Sequence, residues 1–366
     1  MTEQSFVPTP YANILPKGKV TWESPSNIAL VKYWGKLPNQ IPANPSVSFT
    51  LNTAVTTTTL YYEKRTVVSV DYSFDLFFEG KPKPEFKPKI ETFFNRINSY
   101  LPFLKDYHFE IHSSNSFPHS SGIASSASSM AALALCLLEI EKALDPVMSE
   151  DHFYKKASFL ARLGSGSACR SITGSIVQWG KHNEINESSD LFGISYTAEV
   201  HPVFQNYQDT ILLVHKGQKQ VSSTAGHDLM HTHPFATERF SQAHRNISKM
   251  MAILKQGDLI KFMELVESEA LTLHAMMMTS LPYFILMKPQ TLEIIEKIWA
   301  FRAATNTPVC FTLDAGANVH VLYPEKVSAK VLQFIKNELV AYCENGQYIC
   351  DQIGNGSKKI GSMSDL

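Results

Sequence analysis

Residues 115–129 read NSFPHSSGIASSASS and lead directly into the apolar run MAALALCLLEIEKAL. Pro118 indicates a turn, the serines are favourable helix caps, and the alanines and leucines that follow propagate a helix. We therefore predict a loop that feeds the N-terminus of a long helix. Backbone N–H groups are accessible where small side chains begin a helix, and together with the helix dipole they favour a bound phosphate. A well-capped buried helix explains the same residues, so the phosphate interpretation needs partners elsewhere in the chain.

The composition is that of an ordinary globular protein. Its 366 residues are 44% hydrophobic and 18% charged, which allows a large core and favours two domains. The formal net charge of -1 gives no general attraction to nucleic acid or to an acidic membrane, so an anionic ligand needs a local site. No apolar run reaches the roughly 18 to 20 residues that span a bilayer, and the N-terminus has no apolar signal core. We expect a cytoplasmic protein without nucleic-acid or membrane partners, which five cysteines without a CxxC pair also favour.

Strand-like and helix-like segments in both halves of the chain predict an α+β fold. Residues 19–78 contain period-two stretches rich in Val, Thr, Tyr and Phe, which are typical of several strands. An amphipathic helix at IETFFNRINSYL, a strand at YHFEIHSS and a helix at HFYKKASFLARLG follow. In the second half we expect strands at GISYTAEV, TILLVHKG, VCFTLDAGANVHVLY and QYICDQI, and helices at about 235–255, 259–278, 291–305 and 326–342. The polar stretch KHNEINESSD (181–190) is a candidate domain boundary.

Three further segments contain candidate site residues. SPSNIALVKYWGK (24–36) places Lys32, Tyr33 and Lys36 beside a strand-to-turn transition, where the lysines either neutralise phosphates or are simply solvated. GSGSACR (164–170) ends in Arg170, whose planar guanidinium suits a carboxylate or phosphate, although arginines also cap and cover surfaces. LDAGANVHV (313–321) sets Asp314 between an apolar strand and a glycine turn. There it is either a turn residue or a carboxylate that takes a proton.

Taken in order, SPSNIALVKYWGK, NSFPHSSGIASSAS, RLGSGSACRS and FTLDAGANV closely resemble motifs of the mevalonate diphosphate decarboxylase family, in the GHMP kinase superfamily. The resemblance extends from about residue 20 to residue 353. It implies a GHMP kinase fold, with an N-terminal domain like ribosomal protein S5 domain 2, a ferredoxin-like C-terminal domain and the active site in the cleft between them. We expect a flexible lead-in at 1–18, the ATP-binding domain at 19–190, the C-terminal domain at 191–366, and a homodimer.

The resemblance also implies an activity and a role for each site residue. The family converts mevalonate 5-diphosphate and ATP to isopentenyl diphosphate, carbon dioxide, ADP and phosphate, using a divalent metal that is usually magnesium. Asp314 would orient or deprotonate the 3-hydroxyl. Lys32 would stabilise charge near Asp314 and the phosphoryl oxygens, and Arg170 would clamp the substrate carboxylate. The residues that would bind ATP are Ser120, Ser121, Gly122, Ala124, Ser125 and Ser126. Ser125 would also lie near the magnesium ion. The residues that would bind the substrate diphosphate are Tyr33, Lys36, Ser167, Ser222 and Ser223.

Some positions depart from the family's usual motifs. Lys36 is followed by Leu37 and Pro38 where the family usually has Arg-Asp, Asn-Ser-Ser is replaced by Asn-Pro-Ser at 44–46, and DAGPN is replaced by DAGAN at 314–318. The first change removes a charge pair at the expected mouth of the cleft. It leaves open a kinase or decarboxylase that acts on mevalonate or its monophosphate. A third hypothesis is a non-catalytic nucleotide-binding regulator, against which the joint presence of an acid, a cation and a clamp speaks.

The segment GHDLMHTHPF (226–235) contains three closely spaced histidines, His227, His231 and His233. On a helix the first two would share a face and could bind a transition metal. No Glu or Cys completes a catalytic zinc pattern, however. We therefore expect a solvated loop or helix face here.

Overall fold

The structure is a computed structural model that describes residues 1–11, 13, 15–67, 69–118, 123–217 and 223–361. Its strands are β1 Lys17–Val31, β2 Lys36–Leu37, β3 Ile41–Pro42, β4 Ser46–Lys64, β5 Ser73–Phe78, β6 Lys81–Pro82, β7 Tyr107–Asn115, β8 Ile176–Trp179, β9 Ile194–Ser195, β10 Gln208–Leu212, β11 Cys310–Thr312, β12 Val319–Tyr323, β13 Tyr348–Gln352 and β14 Lys358–Lys359. Its α-helices are α1 Lys87–Ile97, α2 Ser125–Leu144, α3 Glu150–Gly164, α4 Ser223–Asp228, α5 Ala236–Gln256, α6 Leu259–Met278, α7 Pro289–Thr305 and α8 Ser328–Phe334.

Two long antiparallel strands, β1 and β4, form the centre of the larger sheet in the described part of the chain. β4 also pairs with β7 and with β8, so it connects both flanks of this sheet. Its threonine-rich second half alternates buried and half-exposed side chains, as expected where only one sheet face meets a core. That face packs against α1, α2 and α3 in one apolar core.

The apolar run after the serine-rich loop forms α2, which is 20 residues long and buried on nearly every side. The helix begins at Ser125, after Ala124, whose φ of 44° lies in the left-handed region. Its start lies against β1, since Ser26 Oγ donates to the Ile123 carbonyl oxygen at 2.7 Å. Neither α2 nor any other helix in the described ranges is both long and apolar enough to cross a bilayer.

The smaller sheet has the order β11-β12-β10-β13, and its neighbouring strands are all antiparallel. Alternation along each strand sends side chains into two different cores. Ile211 and Leu322 pack with residues of α5 and α6, whereas Phe311 and Val321 pack with residues of α7 and α8. The sheet is therefore covered on both faces.

The core between this sheet, α5 and α6 continues into the larger sheet. Ile28 and Leu30 of β1 and Phe49 of β4 belong to the same buried cluster as Ile211 and Phe262. The two halves of the chain thus share one apolar junction, and the end of β1 lies within it. The residue that follows β1 directly is Lys32.

The predicted strands and helices are largely present, with some differences. GISYTAEV contains only the two-residue β9, because only Ile194–Ser195 pairs with β8. The strand expected at VCFTLDAGANVHVLY is two strands, β11 and β12, separated by a turn in which the Gly316 N–H donates to the Asp314 carbonyl oxygen at 2.7 Å. The helix expected at 326–342 is α8, continued by the π-helical turn Ile335–Leu339. At the end of the strand-rich stretch 19–78, β5 covers only Ser73–Phe78.

Described segments near both ends of the chain pack against its first half. Phe6, within the expected lead-in, is fully buried and stacks on Phe159 at 4.5 Å between ring centroids. Near the other end, β14 pairs with β1, and β9, just beyond residue 190, pairs with β8 of the same sheet. The flexible lead-in and the division at residue 190 stay predictions.

Candidate active site

Lys32 and Asp314 form an ion pair at the junction of the two sheets. Lys32 directly follows β1, and Asp314 lies two residues after β11, so the ends of two strands bring them together. Lys32 Nζ lies 3.0 Å from Asp314 Oδ1, and the two side chains are 2% and 28% exposed. Burial lowers the pKa of Lys32, while the Asp314 carboxylate opposes that shift. The pair thus combines an accessible carboxylate that can accept a proton with a cation that stabilises negative charge.

Arg170 supplies a second buried cation near this pair. Its Nε donates to Asn27 Oδ1 at 3.3 Å, its Nη1 donates to Ser46 Oγ at 2.6 Å, and its guanidinium lies 5.7 Å from the Trp179 ring centroid. Burial lowers the pKa of Arg170, and the Asp314 carboxylate is among the groups that oppose this. These contacts fix the plane of the guanidinium. They engage Nε and Nη1, so the remaining Nη2 is suited to bind an anionic group.

Tyr33 lies next to this site with a buried hydroxyl that has no hydrogen-bond partner among the described residues. Its ring lies 4.6 Å from the Trp179 ring and 4.3 Å from the His227 ring, measured between centroids. Burial raises the pKa of the phenol, so the hydroxyl keeps its proton. A buried donor without a partner is unfavourable, and a phosphate oxygen of a ligand would satisfy it.

The other residues predicted to bind the substrate diphosphate lie in three further segments of the chain. Lys36 Nζ lies 3.8 Å from Asp228 Oδ1, which is too long for a hydrogen bond. Ser167 is half-buried in the segment before β8. Ser223 is the first residue of α4, and Ser222 lies outside the described residues. Their contacts with a substrate stay predictions.

The first turn of α2 contains two of the serines predicted to bind ATP. Ser125 Oγ is buried and has no partner among the described residues, and Ser126 Oγ lies 3.2 Å from Ser165 Oγ. Ala124 immediately precedes the helix. An unpartnered hydroxyl at the positive end of a 20-residue helix fits a nucleotide phosphate, or a magnesium ion bound to one. The predicted ATP-binding residues outside the described part of the chain are Ser120, Ser121 and Gly122.

A cavity of about 150 Å³ lies beside the start of α2, and sequence reasoning missed it. Ser125 and Ser126 form part of its wall, and most of the remaining lining is apolar. Its apolar residues come from β5, the segment before α1, α1 itself, β7 and α2. These elements are distributed along the sequence, and no local motif marks their cavity-lining residues. An apolar cavity that adjoins a helix N-terminus suits a planar heterocycle attached to phosphates. Examples of its apolar lining residues are Phe77, Phe78, Ile90 and Leu133.

Two of the three clustered histidines are buried, so the expectation of a solvated segment is wrong for them. His227 Nδ1 accepts the Gly35 N–H at 2.9 Å, and burial lowers its pKa to about 3. His233 Nε2 lies 3.0 Å from the Met276 carbonyl oxygen. His231 is exposed. Within the described ranges, no three His, Cys, Asp or Glu side chains are arranged to hold a metal ion.

Two family models match most of the chain. Residues 24–190 match the diphosphomevalonate decarboxylase-like N-terminal domain, and residues 210–362 match the mevalonate 5-diphosphate decarboxylase C-terminal domain. Diphosphomevalonate decarboxylase of Danio rerio is 30% identical over 324 residues, which are 83% of this chain and 75% of that relative.

Solved structures of similar proteins share the fold. Mevalonate diphosphate decarboxylase from Staphylococcus aureus has a TM-score of 0.79 and 27% identity, with coverage of 94% of this chain and 98% of that chain. A complex of the protein abbreviated MDDEF with MVAPP, AMPPCP and magnesium also has a TM-score of 0.79 and 27% identity, with coverage of 94% and 100%. The predicted α+β GHMP kinase fold is thereby confirmed. The chain belongs to the diphosphomevalonate decarboxylase family.

Proposed function

We propose that the protein is a carboxy-lyase that catalyses the ATP-dependent decarboxylation of mevalonate 5-diphosphate. The products are isopentenyl diphosphate, carbon dioxide, ADP and phosphate. The observation that carries this proposal is the ion pair of the buried Lys32 with the accessible Asp314 carboxylate, with Arg170 beside it. A non-catalytic nucleotide-binding protein has no need for a proton acceptor, a cation and a guanidinium at one place.

The first step is phosphorylation of the substrate's 3-hydroxyl, because a tertiary hydroxyl is a poor leaving group. The hydroxyl oxygen bonds to the γ-phosphorus of ATP, the bond from that phosphorus to the bridging oxygen breaks, and ADP leaves. Asp314 orients the hydroxyl and accepts its proton. Lys32, whose Nζ is 3.0 Å from Asp314 Oδ1, stabilises negative charge on the carboxylate and on the phosphoryl oxygens.

The second step is loss of phosphate and carbon dioxide. The bond between the tertiary carbon and the new phosphate breaks with its electron pair, which leaves positive character on that carbon. The bond to the carboxylate carbon then breaks, and its electrons form the carbon–carbon double bond. Arg170 binds and orients the departing carboxylate. Its hydrogen bonds to Asn27 and Ser46 fix the guanidinium for this role.

We propose that ATP binds with its adenine in the cavity beside α2 and its phosphates at the start of that helix. The unpartnered Ser125 Oγ fits a magnesium ion bound to these phosphates, and magnesium would supply positive charge that neutralises them. The other groups that we assign to the phosphates are Ser126 and the backbone at Ala124, with Ser120, Ser121 and Gly122.

We assign Tyr33, Lys36, Ser167, Ser222 and Ser223 to the substrate's 5-diphosphate. The unpartnered hydroxyl of Tyr33 supports this assignment. A mevalonate or phosphomevalonate substrate is the alternative, and one observation favours it. Leu37, where the family usually has a charged residue, is 47% exposed, so a charge pair is missing beside Lys36.

Carbon dioxide release and ADP formation, measured in parallel, test these proposals. Purified protein with magnesium and ATP receives mevalonate, its 5-phosphate or its 5-diphosphate in separate reactions. Equal amounts of both products with the diphosphate alone are expected. ADP without carbon dioxide would replace the decarboxylase by a kinase, and activity only on a less phosphorylated substrate would overturn the substrate assignment.

We further propose a cytoplasmic homodimer whose chain has a lead-in at 1–18, an ATP-binding domain at 19–190 and a C-terminal domain at 191–366. Cys136, Cys169, Cys310, Cys343 and Cys350 are all free thiols, which suits a reducing compartment. Light scattering during size-exclusion chromatography tests the dimer, which a monomer mass would contradict. Limited proteolysis near residue 190 tests the boundary.

A further inference from the structure

The main chain of Lys32 is held by side chains as well as by the strand that precedes it. Glu269 Oε2 accepts the Lys32 N–H at 2.8 Å, and Arg239 Nη2 donates to the Lys32 carbonyl oxygen at 3.0 Å. Asn44 Nδ2 donates to the same oxygen at 2.9 Å. Both the main-chain N–H and the carbonyl oxygen of Lys32 are therefore satisfied, and two of the three partners come from α5 and α6 in the second half of the chain.

The group that holds the Lys32 N–H is itself fixed. Arg239 and Glu269 are fully or almost fully buried and form a two-point ion pair, with Nη1 3.0 Å from Oε1 and Nη2 2.6 Å from Oε2. Asn246 Nδ2 donates to Glu269 Oε1 at 2.6 Å. Because each carboxylate oxygen accepts two hydrogen bonds, Glu269 has little freedom to move, and neither has the Lys32 peptide attached to it.

His274 lies five residues after Glu269 on α6 and holds the other member of the catalytic pair. It is 1% exposed, and its Nε2 lies 3.1 Å from the main-chain carbonyl oxygen of Asp314. A carbonyl oxygen only accepts, so Nε2 must carry the proton of this hydrogen bond. Burial lowers the pKa of His274 to about 4, which keeps the ring neutral near pH 7.

We propose that α6 sets the spacing of Lys32 and Asp314, and that His274 is a positioning residue for the reaction. The inference rests on the proposed function. Glu269 and His274 are separated by about 7.5 Å along the axis of one continuous helix, which does not stretch. α6 contacts both β1 and β11, the strands after which Lys32 and Asp314 lie. The helix therefore fixes the two main-chain segments, and the side chains meet at 3.0 Å as a result.

The test compares three variants of the full-length protein. His274→Leu removes the hydrogen bond to Asp314, and we expect kcat to fall about 100-fold, as for a displacement of about 1 Å of a reacting group. The KM values for ATP and substrate should change little, since α2 and Arg170 are untouched. His274→Gln keeps an N–H near the position of Nε2 and should recover most of the loss.

His233→Leu is the matched control. It also removes a buried histidine whose Nε2 contacts a main-chain carbonyl oxygen, that of Met276 on the same helix, but it touches neither Lys32 nor Asp314. We expect a similar loss of thermal stability with kcat near that of the unaltered protein. Equal losses of kcat in the His274→Leu and His233→Leu variants, or an unchanged kcat in His274→Leu, would overturn the proposal.

Nuclear magnetic resonance of the histidine rings gives a readout that does not depend on activity. The unaltered protein should show His274 as the neutral tautomer protonated at Nε2 throughout pH 6 to 8. A ring protonated at Nδ1 instead would overturn the proposal, even if the His274→Leu variant fails to fold. If the unaltered protein shows no decarboxylation, the proposed function fails, while the tautomer still reports whether His274 holds Asp314.

Discussion

Lys32 Nζ and Asp314 Oδ1 lie 3.0 Å apart although the residues are separated by 282 positions in the chain. The ammonium is almost completely buried, whereas the carboxylate keeps 28% of its side-chain surface accessible. This asymmetry matters for the chemistry. A buried cation acts with little screening by water, and an accessible carboxylate can still meet the substrate's hydroxyl.

Replacement of Asp314 by Asn should abolish most of the turnover while nucleotide binding is kept. The amide cannot accept the hydroxyl proton, and loss of such a group typically costs about 10² to 10⁴ in rate. Coupled ADP and carbon dioxide assays measure the loss, and titration with a fluorescent ATP analogue measures binding. Asp75→Asn, at an exposed pair with Lys87, is the control and should leave both unchanged. Normal turnover in Asp314→Asn would remove the carboxylate from the mechanism.

Arg170→Lys should lower the catalytic efficiency for the substrate although the positive charge is retained. An ammonium cannot reproduce the contacts of Nε with Asn27 and of Nη1 with Ser46 and still present a further N–H to the substrate. We expect kcat/KM for the substrate to fall about 100-fold with an unchanged KM for ATP. Steady-state kinetics with each substrate varied in turn separate these effects. An increase in the KM for ATP instead would place Arg170 at the nucleotide.

Ser125→Ala should weaken ATP binding without loss of stability. Its Oγ has no partner among the described residues, so its removal sacrifices no hydrogen bond there. A hydrogen bond to a charged phosphate contributes about 1.5 to 3 kcal/mol, which predicts at least a tenfold weaker Kd.

The neighbouring Ser128 is a matched control for Ser125. Ser128 Oγ lies 2.6 Å from Thr56 Oγ1 in the core, so Ser128→Ala should lower the free energy of unfolding by about 1 kcal/mol and leave ATP binding intact. Calorimetric titration and urea unfolding measure the two quantities. The opposite pattern would mean that Ser125 is a structural residue.

Glu269→Ala should strongly destabilise the fold. It leaves the buried Arg239 guanidinium without its carboxylate, and a broken buried pair costs about 3 to 5 kcal/mol in the free energy of unfolding. Glu338→Ala breaks the exposed pair with Lys297 and should cost less than about 1 kcal/mol. Urea unfolding compares the two variants, and similar losses would contradict the role given to burial.

Stability should decrease as the pH falls from 6.5, in part because His227 is buried in its neutral form. Burial lowers its pKa to about 3, so between pH 6.5 and pH 3 the unfolded chain binds a proton that the folded chain excludes. The free energy of unfolding then falls by up to about 1.4 kcal/mol per pH unit for this histidine. His227→Gln, which keeps an acceptor for the Gly35 N–H, should flatten that slope in urea unfolding between pH 5 and pH 7. The same change at the exposed His231 should not.

The elements predicted best were those whose signal is local. The unbroken apolar run after Ser125 and the long periodic segment that became α6 form helices as expected, because their residues are helix formers with a strong apolar pattern. The strand at GISYTAEV was overestimated, since strand residues are defined by a neighbouring strand, and only two of them find one in β8. The burial of His227 and His233 is not predictable from their segment, because a polar local sequence does not show that other elements cover it.

The chain alone, through four ordered motifs, specified the fold class and predicted Asp314, Lys32 and Arg170 as reactive residues. It did so because the motifs place a carboxylate, an ammonium and a guanidinium at fixed positions within short, recognisable segments. Only the folded molecule establishes that Lys32 is buried against Asp314, that Glu269 and His274 hold their main chains, and that a cavity adjoins α2. Burial, ion pairing and cavities arise from contacts between segments that are distant in sequence, and no local sequence pattern specifies those contacts.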